Sequence, residues 1–102
     1  METSYPFNAL SPAEAERLAL LMEEMGEAVQ VIGKILRHGY GSRHPEGDYT
    51  NRELLEKEMG HVQHALNRMI TVQDLRMSSI VKWEIDKQKT VRRYLHHQGD
   101  QA

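Results

Sequence analysis

Two helix-start signals constrain the fold of this chain more than any other feature. Ser11-Pro12-Ala13-Glu14 supplies an N-cap serine, a proline at the first helical position and a capping-box glutamate. Thr50-Asn51-Arg52-Glu53 is a second capping box. The first signal predicts a helix over residues 12–38 that ends before Gly39. The second predicts a helix from residue 51 to the low seventies.

The segments around these two helices complete an all-helical prediction. Residues 38–49 hold three glycines and one proline and follow neither a helical nor a strand period, so they predict a loop. Residues 71–79 predict a break, after which a third helix follows with its own apolar stripe. That stripe is formed by Ile80, Trp83, Val91, Tyr94 and Leu95. The fold class is therefore predicted to be all-α, with three helices per chain.

The chain has 102 residues, which is near the lower end of the length at which one chain buries a stable core. We therefore expect a single domain over residues 1–102, with an irregular N-terminal arm at 1–10 and a frayed tail at 98–102. A helical bundle of this kind would be completed by oligomerisation, with a partner chain filling the role of the fourth helix.

Charge and composition argue against several classes of partner. Thirteen basic and fifteen acidic residues create no basic field of the kind that marks a nucleic-acid binder. The chain has no cysteine, so thiolate metal sites and disulfides are excluded. No stretch approaches the ~20 apolar residues of a membrane helix, and the start lacks the pattern of a signal segment. These features predict a soluble, cytoplasmic protein without nucleic-acid or membrane partners.

The first helix carries an apolar stripe that is predicted to form its core face. The stripe consists of Leu18, Leu21, Met22, Met25, Val29, Ile32 and Leu36. Gly26 in this helix and Gly60 in the second each lower helix stability relative to alanine. A close approach of two helices at these glycines would explain why both are tolerated.

Glu58 interrupts the apolar face of the second helix. That face is formed by Leu54, Leu55, Val62, Ala65, Leu66 and Met69. Because a helix turns about 100° per residue, Glu58 falls inside the same arc. Burial of an unpaired carboxylate costs several kcal/mol, so this position implies a partner charge, a metal ion or a shifted pKa.

Glu24 and Glu27 point from one face of the first helix because they are three residues apart. One interpretation is that these two residues and Glu23 are simply an acidic helix face exposed to solvent, with no binding role. However, Leu20, Val31 and Ile35 flank them, which indicates that this face packs against another element. Two helices would then present carboxylates to one point, and oxygen donors of this kind hold Mg²⁺ or Mn²⁺.

The motifs Glu-Glu-x-x-Glu at 23–27 and Glu-x-x-His at 58–61 resemble the MazG-like all-α nucleoside triphosphate pyrophosphatases. The resemblance covers roughly residues 14–97, and the stretches 34–39 and 94–98 are similar to short phage- and prophage-type members. It implies Mg²⁺ held by Glu24, Glu27 and Glu58, with Glu27 and Glu58 catalytic. It also implies cleavage of a nucleoside triphosphate to the monophosphate and pyrophosphate by a homodimer or homotetramer.

His61 occupies the position at which the family pattern has aspartate. Imidazole is a poor ligand for magnesium but an acceptable one for manganese, iron, nickel or zinc. Three consequences remain open from the sequence. The metal preference changes with His61 as a ligand, or metal binding and activity weaken, or the chain keeps the fold without the chemistry.

Four further residues are candidates for substrate binding. Lys34, Arg37 and His38 lie near the end of the first helix, where they would bind phosphates or interact favourably with the helix C-terminal dipole. Lys87 lies within the apolar arc of the third helix. It would pair with an acid such as Glu58, reach a substrate phosphate, or extend its long side chain to water.

Two other functions remain alternatives to a pyrophosphatase. The first is a catalytically weakened or inactive helical scaffold, or a nucleotide-binding module, with the same fold. The second takes Glu58-x-x-His61 as half of a ferritin-like di-iron site, a class that pairs two such motifs with two further glutamates. Because one chain has one such motif, the di-iron alternative requires a dimer.

Overall fold

A computed structural model describes residues 8–99 of the chain. Helix α1 spans Pro12–His38, α2 spans Asn51–Thr71 and α3 spans Met77–Thr90, and a short 3-10 helix follows at Val91–Tyr94. The predicted all-α fold with three helices is therefore confirmed for this part of the chain. The predicted arm at 1–10 and tail at 98–102 lie mostly outside the described residues.

Both predicted capping boxes form. The Ser11 hydroxyl accepts a hydrogen bond from the Glu14 backbone N–H at 3.1 Å, and the Glu14 carboxylate accepts one from the Ser11 N–H at 2.8 Å. Thr50 and Glu53 make the same reciprocal pair at 3.2 and 2.9 Å. These local bonds satisfy backbone donors that have no partner within the helix, which is why α1 and α2 begin where the sequence predicts.

Helices α1 and α2 pair as an antiparallel hairpin. Near the open end, the Arg17 guanidinium donates two hydrogen bonds to the Asp74 carboxylate, at 2.6 and 3.0 Å. This pair lowers the pKa of Asp74 below its ordinary value. At the loop end, the buried Asn51 side chain donates to the Gly39 carbonyl at 3.2 Å. Contacts at both ends thus fix the register of the hairpin.

The hairpin interface uses a face of α1 next to the predicted core stripe. Its buried and half-buried positions follow an alternating spacing of four and three residues, at Arg17, Leu21, Glu24, Ala28, Val31 and Ile35. On α2, Asn51, Leu55, Glu58, Val62, Ala65 and Met69 follow the same spacing. This heptad repeat is the pattern by which two helices pack side by side.

The predicted core stripe of α1 is wrong for the single chain, apart from the half-buried Leu21. Its other members leave between 42% and 82% of their surface exposed, and they are Leu18, Met22, Met25, Val29, Ile32 and Leu36. The reason is geometric, because each of these residues follows a member of the hairpin interface by one position. They therefore lie about 100° around the helix from α2.

Helix α3 packs little against the hairpin. It ends at Thr90, so the last three residues of its predicted apolar stripe, Val91, Tyr94 and Leu95, lie beyond the α-helix. Trp83 is 62% exposed, and Val81 and Ile85 are exposed as well. The Cα radius of gyration is 17.9 Å, whereas a compact domain of this length has about 13 Å. Among residues 8–99, none of the helices combines the length and apolarity that a bilayer-spanning segment needs.

Gly26 and Gly60 do not mark a close helix approach within this chain. A Cβ atom added at either glycine would have no neighbour within 4 Å outside its own helix. The prediction of a tight contact at these glycines is therefore wrong for the described residues. Both glycines lie on exposed positions of their helices.

We expect Gly26→Ala to raise the free energy of unfolding by up to about 1 kcal/mol, because alanine has the higher helix propensity and meets open space here. Urea unfolding followed by circular dichroism measures the change. Gly39→Ala is the matched control and should destabilise, since Gly39 has a φ of 86°. A Gly26→Ala variant that unfolds more easily than the wild type would contradict the expectation.

Candidate metal centre

Four side chains from α1 and α2 converge between the two helices. One ligand atom from each of Glu24, Glu27, Glu58 and His61 lies within 4.8 Å of those of the other three. Glu24 and Glu27 share a face of α1 because of their three-residue spacing, and Glu58 and His61 share a face of α2 for the same reason. The convergence expected from the sequence is therefore present in the hairpin.

Two carboxylate oxygens in this cluster are buried without a hydrogen-bond donor. Glu24 Oε2 and Glu58 Oε2 are both inaccessible to solvent, and among the described residues neither accepts a hydrogen bond. His61 Nδ1 lies 3.3 Å from the first oxygen and 3.5 Å from the second, but without hydrogen-bond geometry. Because neither oxygen receives a hydrogen bond, the burial of these two carboxylates is costly unless a cation lies between them.

The carboxyl groups also affect one another electrostatically. A hydrogen bond to the Glu58 carboxyl raises the pKa of Glu27 above its ordinary value. Partial burial and the negative charge of Glu24 act in the same direction. Glu27 therefore keeps a proton at a higher pH than an isolated glutamate does, and a bound cation would displace that proton.

The cluster is closed on the Glu58 side and open on the His61 side. Only 9% of the Glu58 side chain is exposed, compared with 50% of the His61 side chain. Lys57 Nζ approaches Glu58 Oε1 at 3.7 Å, but the Lys57 side chain is 55% exposed and leaves Glu58 Oε2 without a donor. A small cation could therefore enter from solvent and reach buried oxygens.

The donor set fits a divalent metal ion. Three carboxylates supply oxygen atoms, which Mg²⁺ and Mn²⁺ both accept. A neutral imidazole nitrogen suits Mn²⁺ or Fe²⁺ better than Mg²⁺. The two oxygens that lack a donor are the atoms such an ion would satisfy. The residues present therefore fit the metal centre that the sequence predicts.

The remaining candidate residues fall into two places. Lys34, Arg37 and His38 line one cavity of about 310 Å³ at the loop end of the hairpin. Lys87 is exposed on α3, which makes little contact with the hairpin. Within one chain, the structure thus brings the first three together and does not place Lys87 against them or against Glu58.

Sequence reasoning missed three charged or polar residues near these sites. Lys57 lies beside Glu58, and Arg43 and His44 line the same cavity as Lys34. The position of Lys57 next to Glu58 was a usable signal, although neighbours in a helix normally face apart. Arg43 and His44 come from the loop, where no helical period indicates the direction of a side chain.

Comparison with known proteins yields no match among protein-family models, curated proteins or solved structures. The class of protein is therefore defined by the fold and the site. Residues 8–99 form an all-helical chain with a cluster of three glutamates and one histidine between its first two helices.

Proposed function

We propose that this protein is a metal-dependent nucleoside triphosphate pyrophosphohydrolase. The observation that carries the proposal is the pair of buried oxygens, Glu24 Oε2 and Glu58 Oε2, which lack a donor inside a four-residue ligand cluster. If the cluster were a structural ion pair, these oxygens would accept hydrogen bonds from a basic side chain. A divalent ion instead needs oxygens that no donor occupies. The resemblance to MazG-like pyrophosphatases at residues 23–27 and 58–61 supports the choice of a nucleotide as substrate.

The proposed reaction is hydrolysis between the α- and β-phosphates. The oxygen of water bonds to the α-phosphorus, the bond to the bridging oxygen breaks, and the products are a nucleoside monophosphate, pyrophosphate and a proton. A divalent ion at this site supplies charge neutralisation for the phosphate oxygens and lowers the pKa of the attacking water. Glu24 and Glu58 would hold that ion.

Glu27 is the group suited to position the water and accept its proton. A general base must lie next to the water that it deprotonates, and Glu27 lies beside the proposed metal ligands. Its carboxylate belongs to the same cluster as Glu24 and Glu58 and is only partly buried. Water can therefore reach it from solvent.

His61 bears on the choice of metal. Its imidazole belongs to the ligand cluster and is not directed elsewhere, which supports a role as a metal ligand. Replacement of the family's aspartate by a neutral nitrogen donor removes one negative charge and favours Mn²⁺ over Mg²⁺. We therefore favour altered metal preference over loss of the chemistry.

We also propose that the functional unit contains a second copy of this chain, packed on the exposed stripe of α1. Apart from Leu21, the stripe repeats at alternating four- and three-residue spacing from Leu18 to Leu36 and remains exposed in one chain. Such a heptad repeat packs against a helix with the same repeat, and α1 of another copy provides one. A two-fold axis would make this interface self-complementary and complete a helical bundle.

The activity is tested by incubating the protein with each common nucleoside triphosphate and its deoxy form, with Mg²⁺ or Mn²⁺, and measuring pyrophosphate. We expect release of pyrophosphate that stops in EDTA and is faster with Mn²⁺ than with Mg²⁺. His61→Asp should shift the preference toward Mg²⁺, because it restores an oxygen donor and a negative charge.

The alternatives give different results in the same experiments. An inactive scaffold would release no pyrophosphate from any nucleotide, and neither metal nor nucleotide would raise its melting temperature. A di-iron protein would become coloured after preparation with Fe²⁺ and would bind iron stoichiometrically. Either outcome would contradict the proposed pyrophosphohydrolase.

A further inference from the structure

The cavity at the loop end of the hairpin combines residues from three segments. The end of α1 contributes cationic side chains, the loop contributes residues 42–45, and the start of α2 closes the cavity. Its lining consists of Lys34, Arg37, His38, Ser42, Arg43, His44, Pro45, Asn51 and Leu54. The cavity is therefore a joint product of the loop and both helices.

The lining is positively charged, although the whole chain has a net charge of −2. Lys34, Arg37 and Arg43 carry full positive charges at neutral pH, and no carboxylate is part of the lining. Within residues 8–99, none of these three cations has a carboxylate within 4.0 Å. Their charges are thus available to an anion.

The helix dipole does not account for this arrangement. It explains basic side chains in the last turn of α1, such as Arg37 and His38. It does not explain why Arg43 and His44 reach the same cavity from the loop. Convergence of cations from separate segments is typical of sites that bind phosphate groups.

Backbone bonds hold the loop in place. The Asn51 N–H donates to the Ser42 carbonyl at 2.8 Å, and the Arg52 N–H donates to the Tyr40 carbonyl at 3.0 Å. The Arg43 guanidinium donates to the Asp48 carbonyl at 2.7 Å, which uses only part of its donor capacity. The cationic side chains are therefore presented from a defined backbone.

The cavity lies in line with the metal cluster. Lys34 follows Glu27 by seven residues, so it lies on the same face of α1 and about 10 Å farther along the axis. On α2, Leu54 precedes Glu58 by one turn. A polyphosphate chain that starts at the cluster would therefore extend toward Lys34 and Arg37.

We infer that this cavity binds the terminal phosphates of the nucleotide, which leave as pyrophosphate. The inference rests on the proposed function, because it orients the nucleotide along the hairpin. The α-phosphate would lie at the metal ion that Glu24 and Glu58 would hold, and the terminal phosphates would lie at the loop. The observation that carries it is the convergence of Lys34, Arg37 and Arg43 on one cavity without a carboxylate.

Binding of inorganic pyrophosphate to the full chain in EDTA tests the inference without hydrolysis. Calorimetry at a fixed salt concentration should give about tenfold weaker binding for Arg37→Gln and for Arg43→Gln, the usual cost of one charged hydrogen bond. Lys89→Gln on α3 is the matched control, since it removes one positive charge from an exposed position outside the cavity. Its affinity should equal that of the wild type.

The results separate this inference from the proposed function. Pyrophosphate binding that Arg37→Gln weakens supports the cavity even if no nucleotide is hydrolysed. Where hydrolysis occurs, the same variant should lower kcat as well as pyrophosphate affinity, because negative charge develops on the leaving pyrophosphate in the transition state and a cation beside it stabilises that charge. Equal affinity of wild type, Arg37→Gln and Arg43→Gln would overturn the inference.

Discussion

Glu58→Gln is expected to abolish divalent-dependent pyrophosphate release while raising the melting temperature of the protein in EDTA. Glutamine has the shape of glutamate but no negative charge, so it should pack in the same place. In the absence of metal it removes repulsion from Glu24 and Glu27 and brings an amide donor close to buried oxygens that lack one. The substitution therefore removes the unfavourable free energy of charge repulsion and unpaired buried oxygens in the metal-free wild-type protein.

The loss of activity follows from the same change. Removal of one negative charge from the proposed metal centre would weaken its hold on a divalent ion. Loss of an electrostatic group at a reacting centre typically lowers the rate by about a hundredfold or more. The melting temperature of the variant should therefore no longer rise when Mn²⁺ is added. Differential scanning fluorimetry with EDTA or Mn²⁺ and a pyrophosphate assay measure the two effects.

Glu56→Gln is the matched control for this prediction. Glu56 lies on the same helix and is exposed, and its side chain is not part of the ligand cluster. The control should change neither activity nor the response to metal. If Glu58→Gln lowered the melting temperature in EDTA and kept the response to Mn²⁺, Glu58 would have a structural role and the proposed metal centre would be wrong.

Val29→Glu is expected to dissociate the proposed assembly of two copies into single chains without unfolding them. Val29 lies near the middle of the exposed stripe of α1 and is 66% exposed in one chain, so glutamate there meets solvent in the monomer. In a dimer, it would bury a charge against the apolar stripe of the partner. A two-fold axis would introduce that charge twice.

We expect the dimer dissociation constant to rise by about a hundredfold or more, since burial of an unpaired charge costs several kcal/mol. Sedimentation over a range of concentrations measures this change, and circular dichroism reports whether the helices remain. Gln30→Glu is the matched control, because it adds the same charge at the next, exposed position of α1, outside the stripe. If the wild-type protein sedimented as a monomer at every concentration, the proposal that a second copy packs on α1 would be wrong.

The sequence predicted much of the local structure. The capping boxes at 11–14 and 50–53 gave the first residues of α1 and α2, and Gly39 gave the end of α1. These signals depend on hydrogen bonds within one turn, so they need no knowledge of distant contacts. The glutamates at 24, 27 and 58 were also identified, because helical spacing alone determines which side chains share a face.

Predictions that depended on distant packing were less successful. The stripe from Leu18 to Leu36 was expected to form the core, but α2 packs against the adjacent face, with Ala28 and Val31 at its centre. Both faces carry apolar residues at the same alternating spacing of four and three. The periodicity of one helix therefore cannot decide which of them meets the second helix.

The sequence by itself determined that this chain forms three helices. It also determined that Glu24 and Glu27 share one face of the first helix and that Glu58 lies within the apolar face of the second. Only the tertiary structure decided that those carboxylates meet, with His61, between α1 and α2, and that Arg43 joins Lys34 and Arg37 at a cavity. The physical reason is the range of the interactions. Caps and helical period act between residues a few positions apart, whereas the pairing of faces and the path of a loop depend on contacts between residues far apart in the chain.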